Sequence, residues 1–137
     1  MIVHERKSQF GWADDNGLGD VLIRQIIADL KTATCSPKED DTAEEVRALY
    51  ASPGQLSTVV DKDGVPRCNV RVRAVYDTLF GQPNPRLVRG EGNGEDVEAF
   101  KRDHHASWDA WLATLGRTLT DETVLVVEEF ELVEVAE

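Results

Sequence analysis

Lys31 and Thr34 stand three positions apart in Asp29-Leu30-Lys31-Thr32-Ala33-Thr34-Cys35-Ser36, where an apolar-striped segment gives way to β-branched residues. In a regular strand, positions three apart face opposite sides. At a helix-to-strand junction they can converge on one pocket. The chemistry such a pair could do is nucleophilic. The threonine hydroxyl attacks a carbonyl carbon and the lysine amine takes its proton. That role needs a neutral lysine, and therefore burial away from water. The same spacing also reads as a cation closing a helix, followed by an ordinary strand threonine. On that reading Lys31→Ala removes only a helix-dipole contribution, roughly 0.3–1 kcal/mol.

Glu91 is a lone carboxylate in Gly90-Glu91-Gly92-Asn93-Gly94, just ahead of a helical pattern. Such a loop lets backbone approach a ligand closely, or is simply a turn with a solvated carboxylate. It is not a phosphate loop, because no Gly-Lys-Ser or Gly-Lys-Thr follows. Asp103-His104-His105 hints at a metal, but adjacent helical side chains point about 100° apart and do not chelate as an i, i+4 pair would. His104 shares an apolar stripe with Trp108 and Trp111, so all three are expected to be mainly core. Arg71 and Arg73 alternate with apolar residues on one strand, which makes them a solvated face or a contact for phosphate or carboxylate. Ser36 and Ser107 lack a nucleophile-elbow context. No metal or cofactor site is expected.

The elements that must position these residues follow from periodicity. Residues 1–16 lack it and read as a lead-in arm, with Phe10 and Trp12 tucked against the core. Leu18, Val21, Leu22, Ile26 and Leu30 make one helical stripe that Asn16 or Asp20 can cap. A strand begins near Ala33 and Pro37 ends it. Thr42-Ala43-Glu44-Glu45 has the capping-box form, so 42–51 is a helix. Leu56–Asp61 and Val65–Tyr76 are strands joined at Asp63-Gly64, a strong hairpin signal. Gln82-Pro83-Asn84-Pro85 is a break. A long helix from 95 to 115 buries Val97, Phe100, His104, Trp108, Trp111 and Leu115. Thr123–Val135 is the last strand. This order suggests a single α+β domain spanning 1–137, a small mixed β-barrel flanked by helices.

The chain has 137 residues, with 26 acidic against 15 basic and a formal net charge of -11. A polyanion is repelled by such a surface, so broad sequence-blind nucleic-acid binding is disfavoured. A small local pocket for a nucleoside or a single strand end is not. Cys35 and Cys68 fit no metal spacing and read as two buried thiols in a reducing compartment. No apolar run approaches the ~20 residues of a spanning helix. The expected location is cytoplasmic.

Four segments together resemble the ASCH family, from about Phe10 to Val135. They are Phe10-Gly11 ahead of the first helix, Lys31-Thr32-Ala33-Thr34 after it, Gly90-Glu91-Gly92-Asn93 with the Val97/Phe100/His104 helix, and Leu115-Gly116-Arg117 before the last strand. The resemblance implies a barrel of PUA-like type with a cleft beside it, and links to RNA or nucleotides. Some members are described as amidohydrolases of acetylated cytidine, and another as a ribonuclease. In the hydrolases a lysine is base, a threonine three residues later is nucleophile, and a loop glutamate completes the set. Lys31, Thr34 and Glu91 match those positions. Where the common family pattern has glycine, glutamate and arginine, this chain has Asp29, Thr34 and Ser36. Arg71, Arg73 and Ser36 are the expected substrate contacts. The implied partner is a small nucleoside-like ligand or an RNA end, and the alternative to catalysis is a binding module.

Overall fold

The computed structural model describes all 137 residues. The elements in chain order are β1 (Lys7–Gln9), α1 (Leu18–Ile27), β2 (Ala33–Pro37), α2 (Ala43–Tyr50), β3 (Leu56–Val60), β4 (Pro66–Leu79), α3 (Pro85–Gly90), α4 (Val97–Thr114) and β5 (Val124–Val135). The five strands form one mixed sheet in the order β1-β3-β4-β5-β2. Only β1 and β3 run parallel. The α+β class is as expected, but the sheet is open and does not close into a barrel. β1 and β2 stand at opposite ends of the strand order and share no hydrogen bonds. Register shifts between Asn69 and Val70 and between Val72 and Ala74 bend the long β4–β5 ribbon, as bulges do.

Local chemistry explains most boundaries. Thr42 and Glu45 form the expected capping box, with Glu45 N to Thr42 Oγ1 at 3.1 Å and Thr42 N to Glu45 Oε1 at 2.9 Å. The β3–β4 hairpin forms, but its turn is wider than two residues. The Asp61 side chain accepts from the amides of Asp63 and Val65, and only Gly64 takes positive φ there. Neither Asn16 nor Asp20 caps α1. Asp15 instead accepts from the amides of Trp12, Gly17 and Gly19.

Two elements differ from the periodicity reading. β1 lies inside the supposed lead-in arm, because backbone pairing to β3 needs no apolar pattern. α3 fills the supposed break: Pro85 occupies its first turn and Asn84 caps Arg86 N at 2.9 Å.

Two apolar clusters flank the sheet. Phe80, Leu87, Phe100, Leu112, Leu125 and Val127 pack under α3 and α4. Ile23 and Ile26 of α1 pack on Val59, Cys68, Val70 and Phe130. On α4 the buried positions are Phe100 and Leu112. Trp111 and Leu115 are exposed, because the four-residue spacing of Phe100, His104 and Trp108 continues to Leu112. Leu30 and Val21 are also exposed. Both cysteines are free, Cys68 buried and Cys35 half-buried. No helix is long and apolar enough to cross a membrane.

Candidate functional site

Lys31 is not a solvated helix-terminal cation. α1 stops at Ile27, Asp29 takes φ +62°, and Leu30 N closes on Gln25 O at 2.8 Å. This left-handed turn is a common helix exit. It swings Lys31 inward, where it is only 4% exposed. Its Nζ donates to Ala33 O at 2.7 Å and to Glu91 Oε1 at 3.2 Å.

Glu91 caps the C-terminus of α3. Gly90 brings it there, since a Cβ on Gly90 would sit 2.6 Å from Ala33 Cβ. The amide of Thr32 donates to Gly90 O at 2.7 Å, which ties α3 to the start of β2. The close approach this glycine permits is therefore to a strand of the same chain. On the far side of Glu91, His104 Nε2 lies 2.8 Å from Oε2.

His104 Nδ1 lies 2.7 Å from Phe100 O. Both ring nitrogens thus face acceptors, which only a doubly protonated ring satisfies. Burial pushes His104 down, but the hydrogen bond and charge of Glu91 outweigh it and hold the group above its ordinary value. Burial likewise pushes the Glu91 carboxyl up, and Lys31 and His104 together bring it below its ordinary value. Cys35 Sγ is 3.6 Å from His104 Nε2 and 3.9 Å from Glu91 Oε1. Burial and then the Glu91 charge push its thiol well up, which makes it a poor nucleophile. Donor atoms of Cys35, Glu91 and His104 lie within 4.8 Å of one another. Glu91 already accepts from two cations, so the set fits a hydrogen-bonded cluster better than a metal centre.

These side chains open on a cleft of about 720 Å³ that Thr34, Trp12 and Trp108 also line. Lys31, Thr34 and Glu91 thus share one cleft. Along β2, Ala33 and Cys35 face the cluster under α4, so Thr34 and Ser36 point to the other face. Thr34 nevertheless lines the cleft as well as the cavity on the other face.

His104 is more than a core histidine, since its polar partner belongs to this site. Trp108 packs edge-on to His104 at 4.8 Å and has one side in the cleft. Arg71 and Arg73 are not cleft residues. Arg73 pairs with Glu131 at 3.2 Å, and Arg71 donates to Gly54 O at 3.1 Å. Their neighbour Asn69 is buried under the N-terminal arm, bonded to Ile2 O and Thr58 Oγ1. Ser36 lines a separate cavity on its own face of β2. Sequence reasoning missed the role of His104. The i, i+4 spacing from Phe100 marked it as inward-facing, but nothing local signalled a carboxylate opposite.

The fold is shared with solved structures. A protein from Enterococcus faecalis superposes with a TM-score of 0.78 at 18% identity, over 98% of this chain and 80% of that one. An ASCH domain from Lactobacillus crispatus superposes with a TM-score of 0.72 at 22% identity, over 95% of this chain and 82% of that one. No curated protein matches the sequence significantly. The model of the ASCH domain matches residues 8–134, and the chain belongs to the ASCH domain family.

Proposed function

We propose that this protein is an amidohydrolase acting on a small neutral modified nucleoside, with acetylated cytidine as the first substrate to test. The observation that carries this reading is the buried Lys31–Glu91–His104 chain opening on a cleft that also holds Thr34. An amine base, a hydroxyl and a carboxylate are the groups that amide cleavage through an acyl-enzyme requires. A formal charge of -11 supports a neutral nucleoside over a polyanionic RNA.

In the proposed sequence, Lys31 first passes a proton to Glu91. The resulting amine takes the proton of Thr34 as its Oγ attacks the amide carbonyl. The C–N bond breaks, Lys31 hands its proton to the leaving amine, and an acetyl ester remains on Thr34. Water hydrolyses that ester to acetate and a proton, the hydroxyl is restored, and Glu91 returns its proton to Lys31. Protonated His104 stays beside the site, where its charge favours the developing oxyanion. The first transfer is uphill at rest, because Lys31 and His104 both favour the carboxylate form of Glu91.

The alternative is a module that binds a nucleotide or RNA end without turnover. Trp12 and Trp108 on the cleft wall favour it, since a stacked base contributes about 1–3 kcal/mol. Incubation with acetylated cytidine and an assay for released cytidine and acetate decides between them. Turnover is expected in the wild type, none in Thr34→Ala, and a residue of it in Thr34→Ser. Absence of release across a wide pH range would sink the hydrolase for this substrate and leave the binding module.

A further inference from the structure

Cys35, Glu91 and His104 bring a sulfur, a carboxylate and a ring nitrogen together at the side of the cleft. Cys35 Sγ lies 3.6 Å from His104 Nε2 and 3.9 Å from Glu91 Oε1, and His104 Nε2 lies 2.8 Å from Glu91 Oε2. A tetrahedral zinc ion has bonds of about 2.3 Å to sulfur and about 2.0–2.1 Å to nitrogen or oxygen. Its ligand atoms then stand roughly 3.6 Å apart where one is sulfur, and roughly 3.2 Å apart where neither is. The three separations match that triangle to within about 0.4 Å.

His104 is also oriented as a ligand. Its Nδ1 faces Phe100 O at 2.7 Å, which fixes the ring and leaves Nε2 for the site. Metal-bound histidines hold their second nitrogen in this way. Lys31 donates to Oε1 of Glu91 and to Ala33 O, so Oε2 can turn to an ion while Oε1 keeps its cation. An entry path exists, because all three residues line the cleft of about 720 Å³. A dication beside Lys31 adds no net charge. The Cys35 thiol proton and the Nε2 proton of His104 must both leave before those atoms can ligate. One dication thus replaces two protons.

We propose that Cys35, Glu91 and His104 form a reversible binding site for a thiophilic divalent cation, Zn²⁺ by its donor set, and that occupation switches the cleft off. A sulfur, a nitrogen and a carboxylate oxygen suit Zn²⁺ and disfavour Mg²⁺ and Ca²⁺, which take oxygen ligands. At rest the cluster is the hydrogen-bonded chain already described, and the ion takes the place of the His104 proton within it. An occupied site holds Glu91 as a ligand, where it can no longer take the proton of Lys31. The binding of the ion stands on the donor geometry alone, whereas the switch rests on the proposed function.

Co²⁺ is the probe, because a thiolate ligand gives it a charge-transfer band in the near ultraviolet. Titration of the metal-free protein is expected to produce that band at one ion per chain, and Zn²⁺ should abolish it by displacement. Cys68→Ala, which removes the other thiol, should keep the band. Cys35→Ser should lose it. Cys35→Ser and His104→Gln should each weaken Co²⁺ about 100-fold or more, since loss of a residue that merely orients a ligand already costs about 10- to 100-fold. Melting curves without metal establish that the variants fold. No charge-transfer band in the wild type overturns the site, as does full affinity in either variant. For the switch, release of cytidine from acetylated cytidine should fall as Zn²⁺ fills the site and return on chelation, and Cys35→Ser should escape the inhibition. Turnover that persists at saturating Zn²⁺, or that requires it, overturns the switch. Ion binding to a protein that never turns the nucleoside over sinks the hydrolase and the switch with it, and leaves the ion site.

Discussion

Lys31 Nζ and Glu91 Oε1 lie 3.2 Å apart although 60 positions separate them in the chain. Their side chains are 3% and 8% exposed, so neither charge has water to fall back on. Glu91→Gln should leave a buried ammonium without its counter-charge, at a cost of about 3–5 kcal/mol. Lys31→Ala should destabilise by a similar amount, far more than the loss of a helix-dipole contact. Replacing both with apolar residues, Lys31→Met with Glu91→Leu, should recover much of the loss. Urea denaturation of the wild type, Lys31→Met, Glu91→Leu and the double variant measures the coupling. Additive single effects would show that the pair is not the unit of stability.

Asp29 sits at φ +62°, a left-handed conformation that suits glycine and strains a residue with a Cβ. Asp29→Gly should therefore raise stability by about 0.5–1 kcal/mol, despite the added freedom of the unfolded chain. A rise of a few degrees in Tm is the expected reading. A fall would mean that the aspartate side chain contributes more at this turn than its backbone strain takes away.

The sequence resolves these features unevenly. Thr42-x-x-Glu45 and Asp63-Gly64 act locally, and the helix and hairpin they signal are present. Lys31 and Glu91 were legible as residue types, whereas their contact depends on α3, which the run Pro83-Asn84-Pro85 disguised. Asn84 as cap and Pro85 in the first turn were both readable signals for that helix. Arg71 and Arg73 lie on the solvated face that alternation offered them, whereas the burial of Asn69 was not readable. Alternation shows which residues share a face, but not that the N-terminal arm covers part of it.

His104 gives the fold a dependence on pH. Glu91 holds it above its ordinary 6.5, so the protonated ring stabilises the native state. That contribution is complete below the unfolded value and is lost as pH rises through the folded one. Stability should therefore decline from about pH 6.5 upward. Glu91 has the opposite sign. Its value is lowered, so its contribution is present above its ordinary 4.5 and is lost as pH falls through the folded value. Urea midpoints across the pH range should trace a maximum between the two limbs. His104→Gln should flatten the alkaline limb, and an unchanged limb would assign it to another group.

Gly90 is the joint through which one site depends on the packing of a helix against a strand. A methyl group there would meet Ala33 Cβ at 2.6 Å, with Ala33 N and Thr32 Oγ1 each at 3.3 Å. Two of these neighbours are a strand's Cβ and its backbone, which cannot rotate aside. Gly90→Ala should therefore destabilise by about 1–3 kcal/mol, as overpacking does. It should also push Glu91 away from Lys31, because Glu91 is the next residue along the chain. Removing the opposing methyl tests the cause. Gly90→Ala combined with Ala33→Gly should regain much of the stability, less the roughly 0.5–1 kcal/mol that a glycine costs inside a strand. The readout beyond stability is the pH profile, since a displaced Glu91 no longer holds His104 protonated. In Gly90→Ala the alkaline limb should weaken, and in the double variant it should return. A destabilised Gly90→Ala that keeps the wild-type pH profile would show that α3 can shift without moving the carboxylate.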